Sequence, residues 1–117
     1  MKKSNSALIE ELKFVLKRMN RLREAFRIEK EEALENTDIE SLKKLRERSK
    51  FIYQLSINEC LREITMLKNC ISSDQPGMEE ADDLAELCRS EAMQLKAHIS
   101  SAPNRLIRAI KAREFRN

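Results

Sequence analysis

The sequence predicts an all-α protein, and three observations lead to that prediction. Its 117 residues include one glycine and two prolines, too few for the turns of a mixed α/β domain. Charged residues make up 37% and hydrophobic residues 41%, a balance typical of long paired helices. Apolar residues also recur at alternating spacings of four and three, which places them on one face of an α-helix. We therefore expect a single domain, residues 1–117, built as a coiled-coil-like helical bundle.

The first predicted helix covers about residues 6–35. Ser6 is a good N-cap residue, and Glu10 and Glu11 place negative charge in the early turns, where the helix dipole favours it. The apolar residues that follow alternate by four and three positions: Leu8, Leu12, Val15, Met19, Leu22 and Phe26. This heptad spacing predicts one buried stripe, which fades in the polar sequence EKEEALENTD at residues 29–38.

A turn is predicted at Asn36, Thr37 and Asp38, three short polar residues in succession. Thr37 and Glu40 have the spacing of a capping box just before an apolar run. We therefore favour an antiparallel hairpin whose second helix covers about residues 38–72. Because no glycine or proline interrupts this stretch, the sequence also allows one continuous helix over residues 6–72, about 100 Å long at about 1.5 Å per residue.

The second helix carries two different apolar patterns. Its downstream half has a regular stripe: Tyr53, Ile57, Cys60, Ile64, Leu67 and Ile71. Upstream, the apolar residues cannot share that stripe and spread over a wider arc: Leu42, Leu45, Phe51, Ile52 and Leu55. A wide apolar arc predicts more than one neighbour for this part of the helix.

Pro76 and Gly77 are strong turn residues and end the second helix. A third helix is predicted over about residues 78–101, with a stripe of mostly small side chains that allows a close helix approach: Ala81, Ala85, Cys88, Ala92, Leu95 and Ile99. Proline removes a backbone donor from a helix. We therefore expect Pro103 to cause a kink or to begin a short, basic and amphipathic fourth helix over about residues 103–115.

No cofactor, metal or catalytic site is predicted. His98 is the only histidine, and no Cys, Asp or Glu lies at the neighbouring helical positions that would complete a metal site. Four carboxylates open the third helix, in an order that lacks the spacing of a calcium loop: Glu79, Glu80, Asp82 and Asp83. Cys60 and Cys88 fall on apolar stripes, where a thiol packs as a small hydrophobic group.

A small enzyme that acts on an anionic substrate is one alternative, because arginines and glutamates from several helices can enclose an anion. The candidate residues are Arg48, Arg62 and Arg89, with Glu47, Glu59 and Glu63 beside them. Each has the spacing of an ordinary charged helix flank. We therefore expect no enzymatic activity.

A cytoplasmic location is expected. The three cysteines are odd in number and include no CxxC pair, which is typical of reduced thiols. The sequence has no secretory signal pattern, and no stretch approaches the roughly 18 apolar residues of a transmembrane helix.

Within residues 20–72, the sequence NRLREAFRIEKEEALENTDIESLKKLRERSKFIYQL combines a turn at residues 36–38 with a second helix that opens with Leu42, Leu45, Arg46 and Arg48. This pattern resembles the small helical chaperones of flagellar and type III secretion export. The resemblance implies a helical module that shields an apolar surface of an export substrate, with a C-terminal helix that regulates access. The Pro-Gly loop, the alanine-rich third helix and the basic end depart from that pattern.

The leading functional hypothesis is a non-enzymatic protein–protein interaction module, acting as a chaperone, adaptor or regulatory subunit and forming a homodimer. Three apolar stripes exceed what one short chain readily buries, and no catalytic or ligand-binding pattern accompanies them. The aromatic residues beside or off the stripes are the predicted partner-binding residues: Phe14, Phe51, Tyr53 and Phe115. The same rings can also cover the core of this protein's own dimer, and the sequence leaves both readings open.

A dimeric regulator that binds nucleic acid is the other alternative. Residues 73–102 carry two basic and seven acidic side chains, whereas residues 103–117 carry five basic and one acidic. The predicted contacts to an anionic partner are Arg105, Arg108, Lys111, Arg113 and Arg116. In a purely structural reading, Leu106, Ile107 and Ile110 pack on the bundle and the basic side chains are solvated.

Overall fold

The computed structural model describes the backbone of residues 3–36 and 38–116, and the side chains of residues 3–36 and 38–114. It confirms an all-α bundle. The helices are α1 (Asn5–Glu35), α2 (Ile39–Arg48), α3 (Gln54–Asn69) and α4 (Met78–Arg116), and a π-helical segment, Ser49–Tyr53, joins α2 to α3. We call the continuous rod formed by α2, the π segment and α3 the middle helix. The α1, middle and α4 helices pack side by side in a bundle of 66 × 20 × 18 Å.

The helix starts differ slightly from the predicted ones. Ser4, not Ser6, caps α1, because its side chain accepts a hydrogen bond from the backbone N–H of Ala7 at 3.1 Å. Asp38 caps α2 by accepting from the N–H of Glu40 at 3.0 Å, so the hairpin is confirmed and a continuous helix is not observed. Thr37, the other predicted cap, lies outside the described residues.

The π segment explains the two apolar patterns of the middle helix. The N–H of Gln54 donates to the carbonyl of Ser49, five residues back instead of four, so this turn contains one extra residue. Upstream, Leu42, Leu45 and Ser49 face the core at spacings of three and four, and the next position of that pattern would be Ile52. The extra residue brings Tyr53 to the core instead. Two core stripes are therefore joined by a shift of one residue, whereas Phe51, Ile52 and Leu55 of the expected wide arc are exposed.

The predicted break at Pro103 is not observed, because α4 runs through it to Arg116. A proline inside a helix costs about 3 kcal/mol. Pro103 is buried between Ile99, Ala102 and Ile107, which are also buried, and burial of one isoleucine side chain contributes about 1.5–3 kcal/mol. Packing on both sides of the proline therefore outweighs its local cost. The predicted fourth helix is the end of α4.

Buried residues of α1, the middle helix and α4 form one continuous core. The predicted α4 stripe is confirmed, since Ala81, Ala85, Cys88, Ala92, Leu95 and Ile99 are at most 3% exposed. The Cys88 thiol donates to the carbonyl of Leu12 at 3.5 Å, which shows how closely the small side chains let α1 and α4 approach. Leu106 and Ile110 pack on the edge of this core.

The buried amide of Asn5 fastens the start of α1 to the loop between α3 and α4. Its Nδ2 donates to the carbonyls of Ser72 at 2.8 Å and Gln75 at 3.2 Å, and its Oδ1 accepts from the N–H of Ser72 at 3.0 Å. Gly77, with φ of +87°, completes the turn into α4 in a conformation that favours glycine. Asn5 thus pairs backbone groups that neither helix can pair.

We expect Asn5→Ala to lower the free energy of unfolding by about 1–3 kcal/mol, because it removes three part-buried hydrogen bonds to the backbone of Ser72 and Gln75. Chemical denaturation followed by circular dichroism measures the change. Asn20→Ala is the matched control, since Asn20 is exposed on the same helix and should change stability by about 0.5 kcal/mol or less. Equal effects of the two substitutions would contradict a stabilising role for the Asn5 amide.

Candidate interaction surface

Two rows of exposed side chains run along one side of the bundle. On α1, Phe14, Arg21 and Ile28 follow one another at intervals of seven residues and therefore share one helix face. On the middle helix, Ile52, Glu59 and Met66 form the corresponding row. Each row has a charged residue between two apolar residues, and we call the surface formed by these six residues the α1–α3 face.

The two rows border the same groove. Arg21 and Glu59 both line a shallow depression between α1 and α3. The ion pair between Arg18 and Glu63 shows how the two antiparallel helices are aligned along the bundle axis. In this alignment Phe14 lies at nearly the same height along the axis as Met66. At the other end, the hydrogen bond between Tyr53 and Glu29 brings their chain neighbours Ile52 and Ile28 to one level. Apolar residues therefore lie across the groove from each other at both ends, and Arg21 lies across from Glu59 between them.

The apolar members of the α1–α3 face are unusually exposed. Phe14 is 64% exposed and Met66 62%, while Ile28 and Ile52 are 42% and 45% exposed. Phe51 and Leu55, one helical turn apart, extend the apolar surface around the middle helix with exposures of 59% and 60%. Contiguous exposed apolar side chains mark interaction sites more often than scattered ones do.

A polar contact behind the face fixes the π segment against α1. The Tyr53 hydroxyl donates to Glu29 Oε2 at 2.7 Å, and Arg48 Nε donates to Glu29 Oε1 at 2.8 Å. Burial, together with the negative charge of Glu29, raises the pKa of Tyr53 to about 12. The hydrogen bond to Glu29 likewise raises the pKa of Arg48. These three side chains hold the exposed Ile52 in its outward position.

The predicted partner-binding residues divide into two groups. Phe14 lies on the α1–α3 face, and Phe51 lies beside it. Tyr53 is only 4% exposed and packs edge-on against Phe26 with ring centroids 5.4 Å apart, so it is a core residue and cannot be a surface anchor. The side chain of Phe115 lies outside the described residues. Met66 and Ile28 were not predicted. The usable signal was that both stand off the apolar stripes and that Ile28 lies fourteen residues after Phe14, on the same helix face.

Four of the five residues considered for anion binding on the tail are exposed. Arg105, Arg108, Lys111 and Arg113 all project from the last turns of α4, and none of the four forms an ion pair among the described side chains. Ile107, by contrast, is 5% exposed. The side chain of Arg116 lies outside the described part of the chain.

The residues considered for catalysis do not converge on one site. Glu47, Arg48 and Glu59 line three separate depressions. Glu63 is paired with Arg18, whereas Arg62 and Arg89 are exposed on different helices. The described side chains also contain no cluster of His, Cys, Asp or Glu that could hold a metal ion.

The single histidine and the two core cysteines have shifted pKa values with simple causes. Burial lowers the pKa of His98, which packs edge-on against Phe26 at 5.6 Å, and nearby Lys30 lowers it further. Burial raises the pKa of the thiols of Cys60 and Cys88. A buried thiol with a raised pKa is a poor nucleophile.

Compared with protein-family models, curated proteins and solved structures, the chain matches none. Within the described residues, no helix combines the length and apolar character needed to cross a bilayer. Function is therefore inferred from the geometry of the chain itself.

The buried position of Tyr53 can be tested by alkaline titration of absorbance near 295 nm, since it is the only tyrosine and there is no tryptophan. We expect a midpoint of about 12 instead of 10. Because the pKa of Tyr53 is raised in the folded state, protonated Tyr53 contributes to the free energy of unfolding below pH 10, and this contribution is lost as the pH rises through about 12. A midpoint near 10 with the helical signal intact would contradict this burial.

Proposed function

We propose that this protein is a non-enzymatic protein–protein interaction module and that it uses the α1–α3 face. The observation that carries this proposal is the pair of matched rows, apolar at both ends and charged in the middle, along a groove between two helices. Large exposed rings and methionine side chains are common anchors of interfaces. The enzyme alternative is weaker, because its candidate residues lie in separate depressions.

We further propose that a second copy of the chain covers this face in a homodimer. A two-fold axis parallel to the bundle would place α1 of one copy over α3 of the other. Phe14 would then meet Met66, Ile28 would meet Ile52, and Arg21 would meet Glu59 of the second copy. A two-fold axis perpendicular to the bundle would instead oppose Arg21 to Arg21 and Glu59 to Glu59. Charge complementarity therefore favours the parallel axis.

The apolar and charged contacts would have different roles in that dimer. Full burial of one Phe, Ile or Met side chain contributes about 1.5–3 kcal/mol. An exposed ion pair contributes only about 0–1 kcal/mol. The rings and methionines would thus supply most of the affinity, while Arg21 and Glu59 would select the orientation.

The same surface supports the proposal of an adaptor or chaperone role, which is also what the resemblance to export chaperones implies. A client helix with an apolar face would bind the groove of one protomer, as amphipathic helices do in other hydrophobic grooves. Client binding and self-association would then compete for Phe14 and Met66. The free thiols of Cys60, Cys70 and Cys88 support a cytoplasmic location for this activity.

A charge exchange tests the dimer. We expect Arg21→Glu alone and Glu59→Arg alone to weaken dimerisation about tenfold or more, because each opposes like charges. The double variant should recover to within about threefold of the original affinity, since it restores opposite charges. Sedimentation velocity over a concentration series measures the dimer against the 13.7 kDa monomer.

Arg89→Glu is the matched control, because Arg89 is exposed on α4, which is not part of the α1–α3 face. It should leave the affinity within about twofold, as expected for a charge remote from the interface. A protein that is monomeric at every concentration, or a double variant as weak as the single ones, would contradict the proposed dimer.

A second candidate function is binding to nucleic acid, and the exposed basic side chains at the end of α4 favour it. Because α4 is continuous, this end is a rigid helix whose cations could follow a phosphate backbone. Removing the chain after Pro103 would delete the buried Ile107 and disturb the core. Substitution of the basic residues is therefore the better test.

For this candidate, we expect affinity for a random DNA duplex to fall about tenfold or more between 50 and 200 mM salt. Changing Arg105, Arg108, Lys111 and Arg113 to Gln should abolish the binding while leaving the helical signal unchanged. Fluorescence anisotropy of a labelled duplex measures both effects. Absence of binding at low salt would eliminate this candidate.

A further inference from the structure

A polar cleft lies beside the π segment, between the middle helix and α4. It has a volume of about 420 Å³, within the range of small-molecule sites. Six of its lining residues carry hydrogen-bond donors: Arg46, Ser49, Lys50, Gln54, Ser100 and Asn104. We call it the π cleft. It is separate from the α1–α3 face, which lies along the groove between α1 and α3.

Ser49 is the residue that singles out this cleft. It lines the cleft, is only 4% exposed, and its hydroxyl oxygen has no hydrogen-bond partner among the described residues. Buried hydroxyl groups are almost always paired, so an unpaired one indicates a missing partner. Ser49 also belongs to the π segment, and π-helical turns occur frequently at functional sites.

The hydrogen bonds already present leave donors free to act in the cleft. Gln54 Nε2 donates to Ser100 Oγ at 2.7 Å, so the Ser100 hydroxyl hydrogen is available to another acceptor. Arg46 Nη1 reaches Asn104 Oδ1 at 3.5 Å, which leaves further guanidinium N–H groups and the Asn104 amide N–H groups unused. Donors therefore outnumber acceptors around the cleft.

The charges of the lining residues also favour an anionic ligand. Arg46 and Lys50 are cationic, and Glu47 is the one carboxylate that lines the cleft. A guanidinium group, an ammonium group and hydroxyl donors together match the acceptor oxygens of a phosphate group. Glu47 can accept hydrogen bonds from hydroxyl groups on the same ligand.

We propose that the π cleft binds the phosphate monoester of a small hydroxylated molecule. Arg46 and Lys50 hold the phosphate, Ser49 and Ser100 donate hydrogen bonds to its oxygens, and Glu47 accepts from the ligand's hydroxyl groups. Because the Ser49 hydroxyl oxygen is buried in the free protein, its hydrogen bond to the ligand requires rotation of the Ser49 side chain toward the cleft.

Amide NMR titration tests this with ribose 5-phosphate as the probe, and with ribose and inorganic phosphate as its two separated halves. Sodium chloride keeps the ionic strength constant. We expect ribose 5-phosphate to shift the amides of residues 46–54, 100–102 and 104, and ribose alone to leave them unchanged. The proposal is overturned if ribose 5-phosphate shifts none of these amides. If inorganic phosphate binds as tightly as ribose 5-phosphate, the role given to Glu47 is wrong.

Three variants connect binding to the named side chains. Arg46→Gln should weaken ribose 5-phosphate binding about tenfold or more, since it removes a charged donor. Ser49→Ala should weaken binding about threefold to tenfold without lowering the thermal midpoint, because the hydroxyl has no partner to lose in the free protein. Arg62→Gln, remote from the cleft, should bind as the original protein does. Equal weakening by Arg62→Gln and Arg46→Gln, or unchanged binding in Ser49→Ala, would overturn the assignment.

Discussion

One extra residue in the middle helix determines how the rest of the bundle is arranged. The hydrogen bond from the N–H of Gln54 to the carbonyl of Ser49 closes a turn that is wider than an α-helical turn. That turn brings two apolar stripes, which the sequence places out of phase, onto one side of the helix. Leu42 and Leu45 upstream, and Ile57 and Cys60 downstream, can then reach the same core.

The wide turn persists because core packing is worth more than its local cost. A regular α-helix through residues 49–53 would put either the upstream or the downstream stripe out of the core. Each large apolar side chain that left the core would lose about 1.5–3 kcal/mol. Ser49, at the start of the wide turn, also has a buried hydroxyl group without a partner among the described residues, which costs about 1–3 kcal/mol. Several buried side chains outweigh one unpaired hydroxyl, just as burial around Pro103 outweighs the missing backbone donor of that proline.

This balance also explains how far the sequence predicts the structure. The α1 and α4 stripes and the turn near Asp38 follow from local spacing and capping, and the structure contains them. The π segment and the continuous helix through Pro103 could not be predicted, because both depend on contacts between helices distant in sequence. The candidate face was predictable only in part. Phe14 and Phe51 stand off the stripes, whereas Tyr53 begins the regular downstream stripe, so its spacing already indicated burial. The alignment of that stripe with Leu42 and Leu45 depends on the shift introduced by the π segment.

The same extra residue shapes both proposed binding regions. It turns Ile52 and its neighbour Phe51 outward, at one end of the α1–α3 face, and it includes Ser49, which is buried and lines the π cleft. Lys50 connects the two regions, since it lines the cleft while its Nζ lies 5.6 Å from the centre of the Phe51 ring. A ligand that draws Lys50 into the cleft would remove a cation from the ring face, a contact worth about 0.5–1 kcal/mol at an exposed site. If both proposed regions bind their ligands, Lys50 would couple them, and the small value of this contact would make the coupling weak.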